Sequence, residues 1–275
     1  MRHKHQIKLI SDSTGETLDR IFLALKSQFS NFDYEKKEYV FVRTEQQIKK
    51  IIEEEEKEEN IIILYTIVET KLAKYISQIC DKKKIPCFSI LGNLILNFSK
   101  LLNQKATHTP SAQHVLDSDY YKRIEAIQFS MEHDDGMRTE DIKNADIILL
   151  GVSRTSKTPT AIYLANRGFK TLNIPLVTGC EVPSVLKHES KNLCVIGLTV
   201  EPGRLSDIRS NRLEMMKAVN IPNYSSLDFI KKEIENSKNL FNKYNWPIID
   251  VTRKSVEETA ASIIRIYDIK KKNKQ

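Results

Sequence analysis

Short apolar runs alternate with amphipathic stretches along the first part of the chain. Ile7 to Ile10, Tyr39 to Val42, Ile61 to Tyr65 and Pro86 to Ile90 read as strands. Between them, apolar positions recur at helical spacing over Glu16 to Phe29, Glu45 to Glu58, Glu69 to Lys82 and Leu94 to Leu102. Strands alternating with helices of this length imply βαβ units and a parallel sheet. From Asn103 to Ser118 the periodicity lapses into Thr, His, Pro and Ser, which suggests a linker. A helix carrying Tyr121, Ile124, Ile127 and Met131 follows and ends at His133-Asp134-Asp135-Gly136. Strands are then expected at Ala145 to Leu150, Lys170 to Ile174, Leu193 to Leu198 and Pro247 to Val251. Helices are expected at Pro159 to Asn166, Arg204 to Ala218, Leu227 to Lys243 and Val256 to Tyr267.

The strand that begins at Ala145 runs into Gly151-Val152-Ser153-Arg154-Thr155-Ser156-Lys157-Thr158. An apolar strand, a loop of small residues and Lys-Thr at the head of a helix form the layout of a phosphate-binding loop. Backbone N–H groups and the helix N-terminus surround an anion, the lysine adds a point charge, and the threonine hydroxyl can reach a metal ion. The usual pattern has glycine directly before the lysine. Ser156 stands there instead, at a place where a positive φ would be strained. A strand-to-helix turn capped by Ser and Thr, binding nothing, is the competing reading. The expected fold class is therefore α/β. An N-terminal parallel-sheet α/β domain over residues 1–105 is followed by a connecting segment over 106–140 that carries the helix and the His-Asp-Asp-Gly turn. A P-loop-kinase-like α/β domain occupies 141–275.

Charge and composition narrow the partners. The chain of 275 residues has a net charge of +7, which suits an anionic substrate or partner, although part of the excess sits in the tail from Lys270 to Lys274. No recognition motif or aromatic-basic interleaving supports nucleic acid. The absence of a long apolar run argues against a membrane span. The start, Met1-Arg2-His3-Lys4-His5, lacks a secretory core. Cys80, Cys87, Cys180 and Cys194 show neither C-x-x-C pairing nor a metal spacing and read as reduced thiols of a cytoplasmic protein. The run from Glu53 to Glu59 reads as a solvated helix face.

Three further clusters could carry chemistry. Ser11-Asp12-Ser13-Thr14-Gly15-Glu16-Thr17 repeats the strand-loop-helix layout, but its acids would oppose an anion, and capping alone explains it. In His133-Asp134-Asp135-Gly136, the adjacent carboxylates of Asp134 and Asp135 can act as a general base or hold Mg²⁺, against the alternative of a plain Asp-Gly turn. Arg204, Arg209 and Arg212 follow the strand ending in Gly197-Leu198-Thr199, and Arg209 and Arg212 are spaced to share a helix face and grip phosphate.

The segment from Ala145 to Thr160 closely resembles the signature of the pyruvate, phosphate dikinase regulatory proteins and the related phosphoenolpyruvate synthase regulatory proteins. So do Ile10 to Thr17, Tyr120 to Ile127 with His133 to Gly136, Gly197 to Arg212, and Trp246 to Thr259. The resemblance covers nearly the whole chain, and the family itself carries Ser-Lys-Thr at Ser156 to Thr158. It implies a cytoplasmic bifunctional enzyme. One activity phosphorylates a threonine of the dikinase near its catalytic histidine, with ADP as donor and AMP released. The other removes that phosphate with inorganic phosphate and releases pyrophosphate. On this reading Gly151, Val152, Ser153, Arg154, Thr155, Ser156, Lys157 and Thr158 hold the diphosphate, with Lys157 on its oxygens and Thr158 toward Mg²⁺. Arg154 neutralises charge on the transferred group, and Asp134 or Asp135 orients or deprotonates the target threonine. The arginines are the expected inorganic phosphate pocket. The protein partner is the dikinase, or alternatively the synthase, and a homodimer would suit an enzyme that docks a large partner. A small-molecule kinase using ATP and a nucleotide-sensing inhibitor without chemistry are the alternatives.

Overall fold

In the computed structural model, residues 4–53, 60–114, 116–177, 179, 181–188, 193–215 and 224–273 are described. Residues 54–59 of the acidic run, Cys180, the stretch 216–218 and Lys274 lie outside them. Two compact units divide the chain, Met1–Val115 and Leu116–Gln275.

The first unit runs β1 (His5–Ser11), α1 (Glu16–Lys26), β2 (Tyr34–Tyr39), α2 (Glu45–Glu53), β3 (Ile61–Thr66), α3 (Thr70–Lys83), β4 (Cys87–Ser89) and α4 (Gly92–Leu102). Its four strands lie in the order β2-β1-β3-β4, and all pairs are parallel. The second strand is not Tyr39 to Val42 but the polar stretch before it. An edge strand needs to bury little, so Tyr-Glu-Lys-Lys-Glu-Tyr suffices, with Tyr34 set edge-on against Phe22 at 5.2 Å. Val42 is buried for a different reason: it plugs the core from the loop, its N–H bonded to the Ser11 carbonyl (2.9 Å).

The second unit contains α5 (Ser118–Glu132), two 3-10 segments (Asp134–Gly136 and Thr139–Asn144), β5 (Ile147–Gly151), α6 (Lys157–Asn166), β6 (Thr171–Pro175) and α7 (Ser184–His188). It continues through β7 (Val195–Thr199), α8 (Pro202–Met215), α9 (Leu227–Lys243), β8 (Ile248–Asp250) and α10 (Val256–Lys272). The parallel order is β6-β5-β7-β8. Helices cover both faces, which is why β5 is apolar at every position rather than alternating. Ile147 and Leu149 pack with Ala161, Leu164, Ala260 and Ile263 on one side, and Ile148 and Leu150 with Leu172, Phe241 and Trp246 on the other. A capping box starts α10: the Ser255 side chain accepts from the Glu258 N–H (3.1 Å) and Glu258 accepts from the Ser255 N–H (2.8 Å).

Both sheets place their first strand between the second and the third. The chain therefore reverses its direction of sheet growth beside β1 and again beside β5, and ligands of open α/β sheets bind in the crevice such a reversal leaves at the strands' carboxyl ends. In the second unit that crevice receives the β5–α6 loop.

Close packing behind β7 depends on one missing side chain. A Cβ at Gly197 would lie 2.4 Å from the ring of fully buried Phe241. Gly197→Ala should lower stability by about 1–3 kcal/mol, read as a reduced urea midpoint, because the ring has no open space to move into. An unchanged midpoint would mean that α9 shifts without cost.

Candidate active site

The β5–α6 loop owes its path to close contacts and left-handed backbone. A Cβ at Gly151 would lie 2.7 Å from Thr155 Oγ1 and 2.8 Å from the Leu198 carbonyl, so glycine alone fits the strand end. Buried Thr155 donates to the Val152 carbonyl (2.9 Å) and closes the loop on itself. Arg154 (φ 74°) and Ser156 (φ 58°) are both left-handed. The position where glycine is usual thus does take a positive φ, and serine bears a cost of about 1–2 kcal/mol there. α6 begins directly after Ser156 without a side-chain cap. Its first N–H groups point out of the first turn, and Pro159 has none to offer.

Lys157 is buried, and its ammonium donates to the Val152 carbonyl (3.1 Å). Burial pushes its pKa down to about 8; Asp135 and Asp134 pull it up, and Arg154 and Arg209 push it down. A buried lysine that holds only a neutral carbonyl gains a charged partner when an anion arrives.

The His-Asp-Asp-Gly turn comes to the head of α6. Half-buried Asp134 accepts from Thr158 Oγ1 (3.0 Å to Oδ1, 3.3 Å to Oδ2) and from the amide of Asn173. Asn173 also donates to Thr158 Oγ1 (3.1 Å). Asp135 is exposed and left-handed (φ 54°). Gly136 completes the turn at φ 83°, where a Cβ would press on Pro175 at 3.3 Å. His133 plays no part at the loop. It is buried and stacked on Phe129 (3.8 Å), with Nδ1 bonded to the Phe129 carbonyl (2.7 Å) and Nε2 to Asp141 (3.2 Å). The imidazole pegs the turn to α5, while the turn's carboxylates face the loop's lysine.

Among the described residues, no group of three or more His, Cys, Asp and Glu side chains could hold a metal. Thr158 and Asp134 nevertheless offer an oxygen-only donor pair of the sort Mg²⁺ uses when phosphate oxygens and water complete its shell.

The arginine cluster behaves differently from its sequence expectation. Arg209 is 1% exposed and is committed to the fold. It donates to Glu233 (2.7 Å), the Tyr224 carbonyl (3.0 Å) and the Ser153 carbonyl (3.2 Å), and stacks over Tyr224 at 4.8 Å. Arg204 and Arg212 lie exposed on α8 while Arg209 is buried against Glu233 of α9, so the three form no phosphate grip. Arg209 braces the loop from behind instead. Burial would raise the Tyr224 phenol, but hydrogen bonds from Arg154 and Ser153 bring it below its ordinary value.

The corresponding loop of the first unit lines a cavity of about 170 Å³ with Ser11, Ser13, Thr66 and Ser111. Asp12 is buried there, which raises its pKa, and accepts from the Val68 N–H (2.7 Å), tying the loop to the one after β3. Asn173 and the bracing role of Arg209 escaped the sequence reading. A lone amide inside the apolar strand Thr171-Leu172-Asn173-Ile174 was the available signal for the first. Arg209 gave none, since its partner Glu233 lies 24 residues away.

The β5–α6 loop thus lies at the reversal point of a parallel sheet, with Lys157, the Thr158 hydroxyl and the Asp134 carboxylate gathered at one helix N-terminus. The model of the kinase/pyrophosphorylase family matches residues 7–264, and the chain belongs to that family. It is 63% identical over 273 residues to a pyruvate, phosphate dikinase regulatory protein of Pelagibacter ubique, covering 99% of this chain and 100% of the relative. Proteins of the same name from Chelativorans sp. and Brucella ovis are each 43% identical. The former alignment covers 96% of this chain and 98% of the relative, and the latter 94% and 93%.

The lysine yields a prediction with a definite sign. Its pKa lies below the ordinary 10.5, so above pH 8 it is increasingly neutral, and a bound anion favours the charged form. Metal-free ADP, used as a probe at pH 8.5, should therefore bind with proton uptake, seen as a calorimetric enthalpy that changes with the ionisation enthalpy of the buffer. Lys157→Met should bind more weakly and lose that buffer dependence. A dependence equal in both proteins would place the uptake elsewhere.

Proposed function

We propose that this protein regulates pyruvate, phosphate dikinase by reversible phosphorylation. In one direction the β-phosphoryl group of ADP passes to a threonine of the dikinase near its catalytic histidine, with AMP released and the dikinase inactivated. In the other, inorganic phosphate takes that phosphoryl group, and pyrophosphate is released. The observation that carries this reading is the meeting of Lys157, Thr158 and Asp134 at the head of α6, in a chain of the kinase/pyrophosphorylase family. The names of the relatives favour the dikinase over phosphoenolpyruvate synthase as target.

Phosphoryl transfer needs positioning and charge neutralisation more than covalent help. The loop from Gly151 to Thr158 cradles the diphosphate with backbone N–H groups, and Lys157 turns from the Val152 carbonyl to its oxygens. Arg154, exposed at the loop's crest, neutralises charge on the moving group. Thr158 and Asp134 would hold Mg²⁺, which supplies charge neutralisation across the phosphates. Asp134 is engaged by Thr158 and Asn173, whereas Asp135 is exposed and better able to orient the incoming hydroxyl and take its proton. For the reverse direction the arginines of α8 offer no ready pocket, so the same loop is the better seat for inorganic phosphate.

The test uses β-labelled ADP with the dikinase and, separately, the synthase, each phosphorylated on its histidine. Label should appear on a threonine of the dikinase together with AMP. Lys157→Ala should slow both this transfer and pyrophosphate release by about a hundredfold or more. No label on either protein despite tight ADP binding would reduce the chain to a nucleotide-sensing inhibitor. Pyrophosphate release surviving in Lys157→Ala would mean that a second site serves the reverse reaction.

A further inference from the structure

Asn173 stands in the middle of β6 and is 1% exposed. Its amide nitrogen donates to Asp134 and to Thr158 Oγ1, while its carbonyl oxygen is buried without a partner. The opposite amide orientation would turn that carbonyl toward a carboxylate, so the contacts themselves fix which end faces Asp134. Leaving a buried acceptor unmatched is costly. The fold tolerates that cost where the nitrogen serves two acceptors from segments 39 and 15 residues away. The backbone secures the same approach, since the Asn173 N–H reaches the His133 carbonyl at 3.4 Å.

The consequence falls on Thr158. Its hydroxyl has one proton and two lone pairs and ordinarily rotates to suit its neighbours. Here the proton goes to the Asp134 carboxylate and the amide of Asn173 takes one lone pair. One lone pair is left, its direction fixed, beside the oxygens of Asp134.

We propose that Asn173 is a positioning residue for a divalent cation: by clamping Asp134 to Thr158, it leaves the Thr158 lone pair and the Asp134 carboxylate jointly directed at a cation that accompanies the diphosphate. This rests on the reading of the loop as a nucleotide site. Groups that orient a metal's donors without touching the metal commonly govern its affinity.

Mn²⁺ binding followed by electron paramagnetic resonance, with and without ADP, tests the assignment. Asn173→Leu keeps the branching and the number of heavy atoms and removes the donors. In the presence of ADP it should weaken Mn²⁺ binding by about 10- to 100-fold, with metal-free ADP affinity unchanged. Combined with Thr158→Val, the loss should fall short of the sum of the two single losses, because the residues act together. Unchanged Mn²⁺ affinity in Asn173→Leu, or strictly additive losses, would overturn the role. Wild-type protein that binds ADP but no Mn²⁺ would likewise overturn the proposal, whereas wild-type protein that binds no ADP would overturn the nucleotide reading on which it rests. If the leucine variant does not melt cooperatively, Asn173→Ala, which introduces no new bulk, takes its place under the same criteria.

Discussion

The hydrogen-bonded cluster of Asp134, Thr158 and Asn173 joins three segments: the turn after α5, the head of α6 and the middle of β6. Each member needs the other two. Without Asn173 the Thr158 hydroxyl could rotate, and without Thr158 the Asp134 carboxylate would face a half-buried environment with one donor fewer. Without Asp134, Thr158 and Asn173 would lose the acceptor they share. Removing one partner of such a buried set costs more than an average hydrogen bond contributes, because the groups left behind are already desolvated. The position of the turn relative to the loop, and so the whole candidate site, follows from this cluster.

A second brace acts from the opposite side. Arg209 joins Glu233 of α9 to the Ser153 carbonyl, so the loop's left-handed crest is held from behind by an ion pair that is almost wholly buried. Breaking a pair of this kind by removing one partner costs about 3–5 kcal/mol, since a buried charge is left alone. Between the two braces sit Arg154 and Ser156, the loop's two non-glycine left-handed residues. Strain of this type persists only where the surroundings over-determine the backbone, and here they do.

What the sequence revealed follows from where each signal resides. The β5 strand, its loop and the start of α6 were legible because burial on both faces writes a continuous apolar run and the loop must use small residues. The spacing of elements also gave the parallel α/β class. The polar edge strand β2 was misplaced toward Val42, because apolar character marks the core and Val42 belongs to the core without belonging to the strand. The conjunction of Asp134 with Thr158 could be suspected only from chain order, since no local pattern encodes a contact across 24 residues. Arg209 was misread for the same reason. Helix spacing told which residues share a face, but not which face the neighbouring helix covers.

The proposed seat of an adenine nucleotide is the β5–α6 loop, against the turn at Asp134. Backbone amide exchange read by mass spectrometry, with and without ADP, tests it most directly. Slowed exchange is expected over residues 151–160 and 133–137, with the loop at 11–17 unaffected. Protection confined to 11–17, around the hydroxyl-lined cavity of the first unit, with 151–160 unchanged, would contradict it.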